Sequence, residues 1–293
     1  MKSGFVGIVG RPNVGKSTLL NSIIGEKVAI TTSKPQTTRN TIRGIYNDKD
    51  LQMVFIDTPG IHKPKNALGS QMTQSALRTF KEVDLILLMV DGHPSEGPGD
   101  PFILNMLKDV KTPKFLVINK IDLIPPDAYE QIYLEYESTG IFKEIIGISA
   151  KSGKNVDVLL NKAVSYMGEG PQYFPSDMVY DYDETFMVTE IIREKALMYL
   201  EEEIPHGIFV ELEIYEEKGD LLHIGAVIYC EKKSHKGIII GKGGRKLKGI
   251  GKDARLELEG LLGIRIFLEL FVKVKENWRS EDITVKKMGF SDS

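Results

Sequence analysis

Residues 5–20 read FVGIVGRPNVGKSTLL, and the order of residue types within them decides the fold. An apolar run, Phe5 to Val9, leads into Gly10-Arg11-Pro12-Asn13-Val14-Gly15-Lys16-Ser17, which fits G-x-x-x-x-G-K-[ST]; Thr18 to Ile24 then continues with apolar, helical character. Strand, glycine-bounded turn and helix in that order make a phosphate-binding loop. Small residues let backbone N–H groups curl around a β-phosphate at a helix N-terminus, Lys16 adds a cation, and the Ser17 hydroxyl is placed for Mg²⁺. A glycine turn without the Lys-Ser ending would be only a tight connection. Gly10 through Thr18 are therefore the first candidate site residues.

Further apolar runs follow at intervals: LQMVFID (51–57), VDLILLMVDG (83–92), KFLVINK (114–120) and EIIGISA (144–150), with stretches of helical spacing such as NALGSQMTQSALRTFKE (66–82) between them. Continuous apolar strands alternating with helices predict a doubly wound, mostly parallel α/β sheet over residues 1–167, with ligands at the carboxyl ends of the strands. The chain has 293 residues, 42% of them hydrophobic, which is long enough for two cores. Its single cysteine, Cys230, excludes an intramolecular disulfide and an all-cysteine metal site. No cleavable signal pattern opens the sequence, and the most apolar stretch is far short of the roughly 20 residues of a membrane span. A cytoplasmic protein is expected.

Three more motifs each end a predicted strand. Asp57-Thr58-Pro59-Gly60 offers a carboxylate to the Mg²⁺ shell and a Gly60 N–H to a γ-phosphate. Asn119-Lys120-Ile121-Asp122 offers a carboxylate that can accept both the N1–H and the exocyclic amino group of guanine. Ser149-Ala150-Lys151 offers a backbone amide for the guanine O6. Either aspartate alone would read as a helix cap; four motifs in this order read as a GTP/GDP site. These residues resemble the translation-factor-like GTPases over Phe5 to about Met167. The resemblance implies a switch threonine that binds Mg²⁺ in the GTP state: Thr38 in KPQTTRN matches best, with Thr37 the alternative. Ser17, Thr38 and Asp57 are then the metal set, and Lys16, Thr38 and Gly60 act on the transferred phosphoryl group. Where Ras-type enzymes carry a water-orienting glutamine, this chain has Ile61, so slow intrinsic hydrolysis is expected and no general base can be named. Asn13 is either a plain turn residue or, as in relatives with asparagine there, a residue linked to a monovalent cation such as K⁺.

Residues 168–184, GEGPQYFPSDMVYDYDE, carry Gly/Pro breaks without helical period and read as a linker. From 185 to 293 the order helix, strand, strand, glycine loop, helix, strand describes a small α+β domain. Charge changes sign inside it. Residues 181–231 hold 3 Lys/Arg against 14 Asp/Glu, and residues 232–279 hold 13 against 5. The basic part surrounds Gly241-Lys242-Gly243-Gly244, a G-x-x-G without the Lys-Ser ending. In the KH fold such a loop clamps about four nucleotides of RNA backbone: phosphates approach the bare glycines, Lys242, Arg245, Lys246 and Lys248 supply charge, and an adjacent apolar face including Ile238, Ile239 and Ile240 receives bases.

A GTPase domain followed by a prokaryotic-type KH domain closely resembles the bacterial Era family. That resemblance implies a ribosome-assembly GTPase acting as a monomer on the 3′ region of 16S rRNA in the small subunit, with loose peripheral membrane association for which the sequence holds no anchor. Two other readings differ in testable features. An RNA-binding module with a vestigial nucleotide domain would show damage at Lys16, Ser17, Asp57 or Asp122, and all are intact. A tRNA-modifying GTPase would carry a cysteine beside the C-terminus, whereas this chain ends KKMGFSDS.

Overall fold

A computed structural model describes residues 1–64, 66–92, 99–281 and 285. The chain divides into two compact units, one built chiefly from Met1–Thr31 and Thr38–Asp181, the other from Thr32–Thr37 and Tyr182–Met288.

The first unit contains β1 (Lys2–Gly10), α1 (Lys16–Ile24), β2 (Ile42–Asp48), β3 (Leu51–Asp57), α2 (Ala67–Glu82), β4 (Leu85–Asp91), α3 (Gly99–Leu107), β5 (Lys114–Asn119), α4 (Pro126–Glu137), β6 (Glu144–Gly147), α5 (Val156–Val164) and β7 (Gly168–Glu169). The sheet order is β2-β3-β1-β4-β5-β6, parallel throughout except for β2, which runs antiparallel to β3. Every residue of β3, β4 and β5 is buried, which is why these strands read as unbroken apolar runs rather than alternating ones. Because the strands are parallel, the motif residues Gly10, Asp57, Asp91 and Asn119 all finish at one end of the sheet. β2 was not visible as a strand: Gly44 interrupts it, and one side packs on α1, where a Cβ at Gly44 would press into Leu20 and Ile24.

The expected linker is not a loose tether. β7 pairs with the start of β1, and the backbone of Tyr173 and Phe174 closes on the buried Gln52. Gln52 Oε1 accepts from Tyr173 N (2.7 Å) and Phe174 N (3.0 Å), while its Nε2 donates to Phe174 O (2.8 Å). Farther on, Ile45 N donates to Val179 O (2.9 Å) and Tyr180 bridges Gly44. Residues 173–181 thus form a strap along the outer side of β2. Gly/Pro breaks exclude a helix here but say nothing of how an extended backbone satisfies its polar groups.

The second unit contains α6 (Glu184–Tyr199), β8 (Phe209–Lys218), β9 (Leu221–Cys230), α7 (Lys233–Ile240), α8 (Arg245–Leu262) and β10 (Arg265–Val274). Asp183 caps α6, its carboxylate accepting from Phe186 N (2.7 Å). The sheet order is β10-β9-β8, with β8 antiparallel and β10 parallel to β9, and α6 and α8 pack on each other and on the sheet. Helix α7 was missed in the sequence, where Gly237 and three consecutive isoleucines mask its period.

Candidate functional site

The loop after β1 is held open by its glycines and by the neighbouring motifs. A Cβ at Gly15, whose φ is +101°, would lie 2.2 Å from Asn119 Nδ2, so no larger residue fits there. Asn119 ties three motifs together: its Nδ2 donates to Val14 O (2.8 Å) and its Oδ1 accepts from Ala150 N (2.9 Å). The Ala150 amide, one of those expected to meet a base, is therefore also part of this brace. Lys120 reaches back to the first loop, donating to Asn13 O (2.9 Å). Asp122 is exposed beside Ser149, whose hydroxyl bond holds its carboxyl below the usual range. Thr58 is turned inward, its hydroxyl donating to Ile8 O (2.8 Å), and Ile61 N donates to Gly10 O (3.0 Å). The four motifs of the sequence converge at one end of one sheet.

Three oxygens meet beside Lys16. Ser17 Oγ lies 2.6 Å from Asp57 Oδ2 and 2.8 Å from Thr38 Oγ1, and Thr38 Oγ1 lies 3.5 Å from Asp57 Oδ2. Thr37, the alternative switch residue, turns away: its hydroxyl bonds Thr32 and Lys34 O, and its carbonyl accepts from Arg193. Asp57 Oδ1 is buried with no hydrogen-bond partner. Burial pushes the Asp57 carboxyl up to about 6, against the pull of Lys16, Ser17 and Thr38. Burial also pushes the Lys16 ammonium down to about 8, opposed by Asp57; its Nζ donates to Arg11 O (2.8 Å) and Gly10 O (3.3 Å). A buried carboxylate with one unpartnered oxygen beside two hydroxyls suits a hard cation that completes its shell from phosphate and water, which is how Mg²⁺ is ordinarily bound. The lysine suits the anion itself.

A pH dependence follows with a definite sign. A Mg²⁺ held by Asp57 would need that carboxyl ionised, and the proton would compete for it below about pH 6. Apparent Mg²⁺ affinity should be about tenfold weaker at pH 5 than at pH 7. Mg²⁺ titrations of a fluorescent GDP complex at the two pH values check this; equal affinities would mean that Asp57 does not hold the metal.

Ile61 is 1% exposed and packs with Val9, Ile56, Ala76 and Phe80 in the core. Its side chain is part of the sheet's packing. Sequence reasoning also passed over Asp91 and Asp100. Arg11 Nη2 lies 3.3 Å from Asp91 and Arg11 Nε 2.6 Å from Asp100, while Lys120 Nζ lies 2.7 Å from Asp91. The signal was present: Asp91 ends LLMVD just as Asp57 ends MVFID, but no tetrapeptide pattern surrounds it.

In the second unit Gly241 caps α7, Lys242–Gly244 form a short 3₁₀ turn, and α8 begins at Arg245. Gly243 and Gly244 have φ of +63° and +74°, and a Cβ on either would meet nothing within 4 Å. Lys242, Arg245 and Lys248 are exposed around them and Lys246 is half-buried, so the loop presents bare backbone, cations and a helix N-terminus together. One assignment needs correcting. Of the three expected isoleucines, Ile239 is fully buried in the core of its unit and cannot receive a base, whereas helical phase turns Ile238 outward, at 45% exposure, and leaves Ile240 half-buried.

A P-loop sheet with guanine-reading and Mg²⁺-binding motifs, and a separate α+β unit with a basic G-x-x-G turn, define a GTPase joined to a KH domain. The family described as 50S ribosome-binding GTPase matches residues 5–120, and the KH domain family matches residues 203–279. The chain belongs to the GTPase Era family. It is 57% identical over 291 residues to GTPase Era of Alkaliphilus metalliredigens and 56% identical over 294 residues to that of Clostridioides difficile, covering 99% of each chain in both cases. Among solved structures it is similar to an Aquifex aeolicus Era variant bound to GDP and AlF₄⁻ (TM-score 0.95). It is equally similar to Era in complex with MgGDPNP and nucleotides 1506–1542 of 16S ribosomal RNA (TM-score 0.96). Both are 40% identical and aligned over the whole of each chain. No helix among the described residues is long and apolar enough to cross a membrane.

Proposed function

We propose that this chain is a slow GTPase that binds the 3′ region of 16S rRNA through Gly241–Gly244 and the start of α8, and that GTP state and RNA binding are linked in small-subunit assembly. The observation that carries the reading is the convergence of Ser17, Thr38 and Asp57 beside Lys16 in a chain that also presents the basic G-x-x-G turn. The related Era complex, holding a GTP analogue with Mg²⁺ and the 16S segment at once, supports both halves. Ser17, Thr38 and Asp57 would hold the Mg²⁺, which supplies charge neutralisation at the phosphates. Lys16 binds the β/γ oxygens, the Gly60 amide faces the γ-phosphate, and Asp122 with the Ser149–Lys151 backbone reads guanine.

Ile61 cannot orient water, being apolar and packed in the core. Intrinsic turnover should therefore fall near the ~10⁻⁴ to 10⁻² s⁻¹ of unassisted GTPases. An oligonucleotide of the 16S 3′ end is expected to raise it, and single-turnover hydrolysis with and without that oligonucleotide is the test; identical rates at saturating RNA would break the proposed link. In the same assay, exchanging sodium for potassium distinguishes the two roles of Asn13. A cation role predicts acceleration that is lost in Asn13→Ala, and equal rates in the two salts leave Asn13, with its φ of +65°, a turn residue.

A further inference from the structure

The strand order β3-β1-β4-β5 places β4 between the strands that carry the phosphate loop and the base-reading loop. In register, Gly10 faces Met89 across one ladder and Asn119 faces Asp91 across the other. The last side chain of β4 therefore sits where the two loops leave the sheet. That side chain is a carboxylate, 8% exposed, and it takes one cation from each loop: Lys120 Nζ at 2.7 Å on Oδ2 and Arg11 Nη2 at 3.3 Å on Oδ1. The Lys120 ammonium simultaneously donates to Asn13 O. Arg11 is fixed from the other side by Asp100, so its guanidinium lies between two carboxylates.

We propose that Asp91 is a positioning residue of the nucleotide site, fastening the base-reading loop to the phosphate loop so that guanine and β-phosphate contacts are made at a fixed separation. This rests on the GTP-binding reading above. A nucleotide bridges both loops, and a preset separation spares it the cost of ordering them on binding. Without the carboxylate, two cations face each other with no shared counter-charge, and the loops are joined by the Asn119 brace and the Lys120 contact to Asn13 O without a shared ion pair. The clamp touches the loops that meet the base and the β-phosphate, and none of the oxygens of the Mg²⁺ set. GTP and GDP should therefore weaken by the same factor.

The test uses the full chain carrying Asp91→Asn, which keeps the shape of the side chain and removes its charge. Release of methylanthraniloyl-GDP in stopped flow should be roughly 10- to 100-fold faster, the range spanned by one lost charge-assisted hydrogen bond. GTP and GDP affinities should fall by one common factor, and KM should rise more than kcat falls. Because Lys120 is one of the two cations that Asp91 holds, the effects of Asp91→Asn and Lys120→Ala on release should be less than additive, a coupling that general destabilisation would not produce. Release within twofold of wild type, loss of GTP affinity alone, or fully additive effects would each overturn the proposal. So would tighter binding, which would mean that Asp91 merely restrains Arg11 from the phosphates. Wild-type protein that binds no guanine nucleotide would overturn the functional reading as well, whereas normal wild-type binding with a silent Asp91→Asn overturns this inference only.

Discussion

Asp122→Asn is expected to reverse nucleotide choice, losing GTP and gaining xanthosine triphosphate. The carboxylate is exposed, and the Ser149 hydroxyl bond, with Lys151 and Lys154 adding to the effect, holds its carboxyl below the usual range. Ionised, it can only accept, and guanine offers it two donors, N1–H and the 2-amino group. An amide in its place can donate to the 2-oxo group of xanthine but cannot accept both guanine donors. A site built around such a pairing rejects the mismatched ligand by factors on the order of 10⁴, because polar groups are left buried and unpaired. Competition binding between the two triphosphates measures the reversal. A variant that still prefers GTP would show that Asn119–Asp122 is not the base-reading element.

Gly243→Asp with Gly244→Asp should abolish RNA binding while leaving GTP affinity intact. Both positions open into empty space, so the substitutions meet no clash, and their left-handed φ adds a backbone strain that aspartate tolerates better than most residues. What they change is the approach of a phosphate, now met by two carboxylates amid Lys242, Arg245 and Lys248. For wild type, neutralising some 3 to 4 phosphates of a single strand predicts a logarithmic salt slope of about −2 to −3. Lys16→Ala should do the converse, losing nucleotide with RNA affinity retained. Anisotropy with a 16S 3′-end oligonucleotide and GTP binding, measured on both variants, read the separation; normal RNA affinity in a folded double aspartate variant would remove the turn from the RNA site.

How far the sequence disclosed this molecule depended on what each residue type can encode. The central strands were legible because burial on both faces demands unbroken apolar runs, and the four motifs were legible because each ends such a run. The hidden parts each lack a local pattern. β2 lies at the sheet's margin and is interrupted by Gly44. Helix α7 ends in Ile238, Ile239 and Ile240, three identical residues whose inward and outward members only the helical phase separates. Gln52 reads as a polar defect in LQMVFID until its backbone partners, more than a hundred residues away, join the nearby Asn47 in satisfying it. Asp91 works through two distant cations, and no spacing rule connects residues 11, 91 and 120.

The strap from Tyr173 to Asp181 also matters for how the chain is made. Until those residues emerge, the margin of β2 lies bare and the amide of Gln52 has lost its backbone partners, although every other strand of the sheet already exists. A ribosome adds roughly 5–20 residues per second, so the fourteen residues from 168 to 181 take about one to three seconds to add. During that interval the nascent sheet carries an open edge able to pair with a neighbouring chain. A message with slow codons just after 167 would lengthen the exposure, and a fragment cut at 167 would make it permanent. The stopping point for a soluble nucleotide-binding fragment is therefore Asp181.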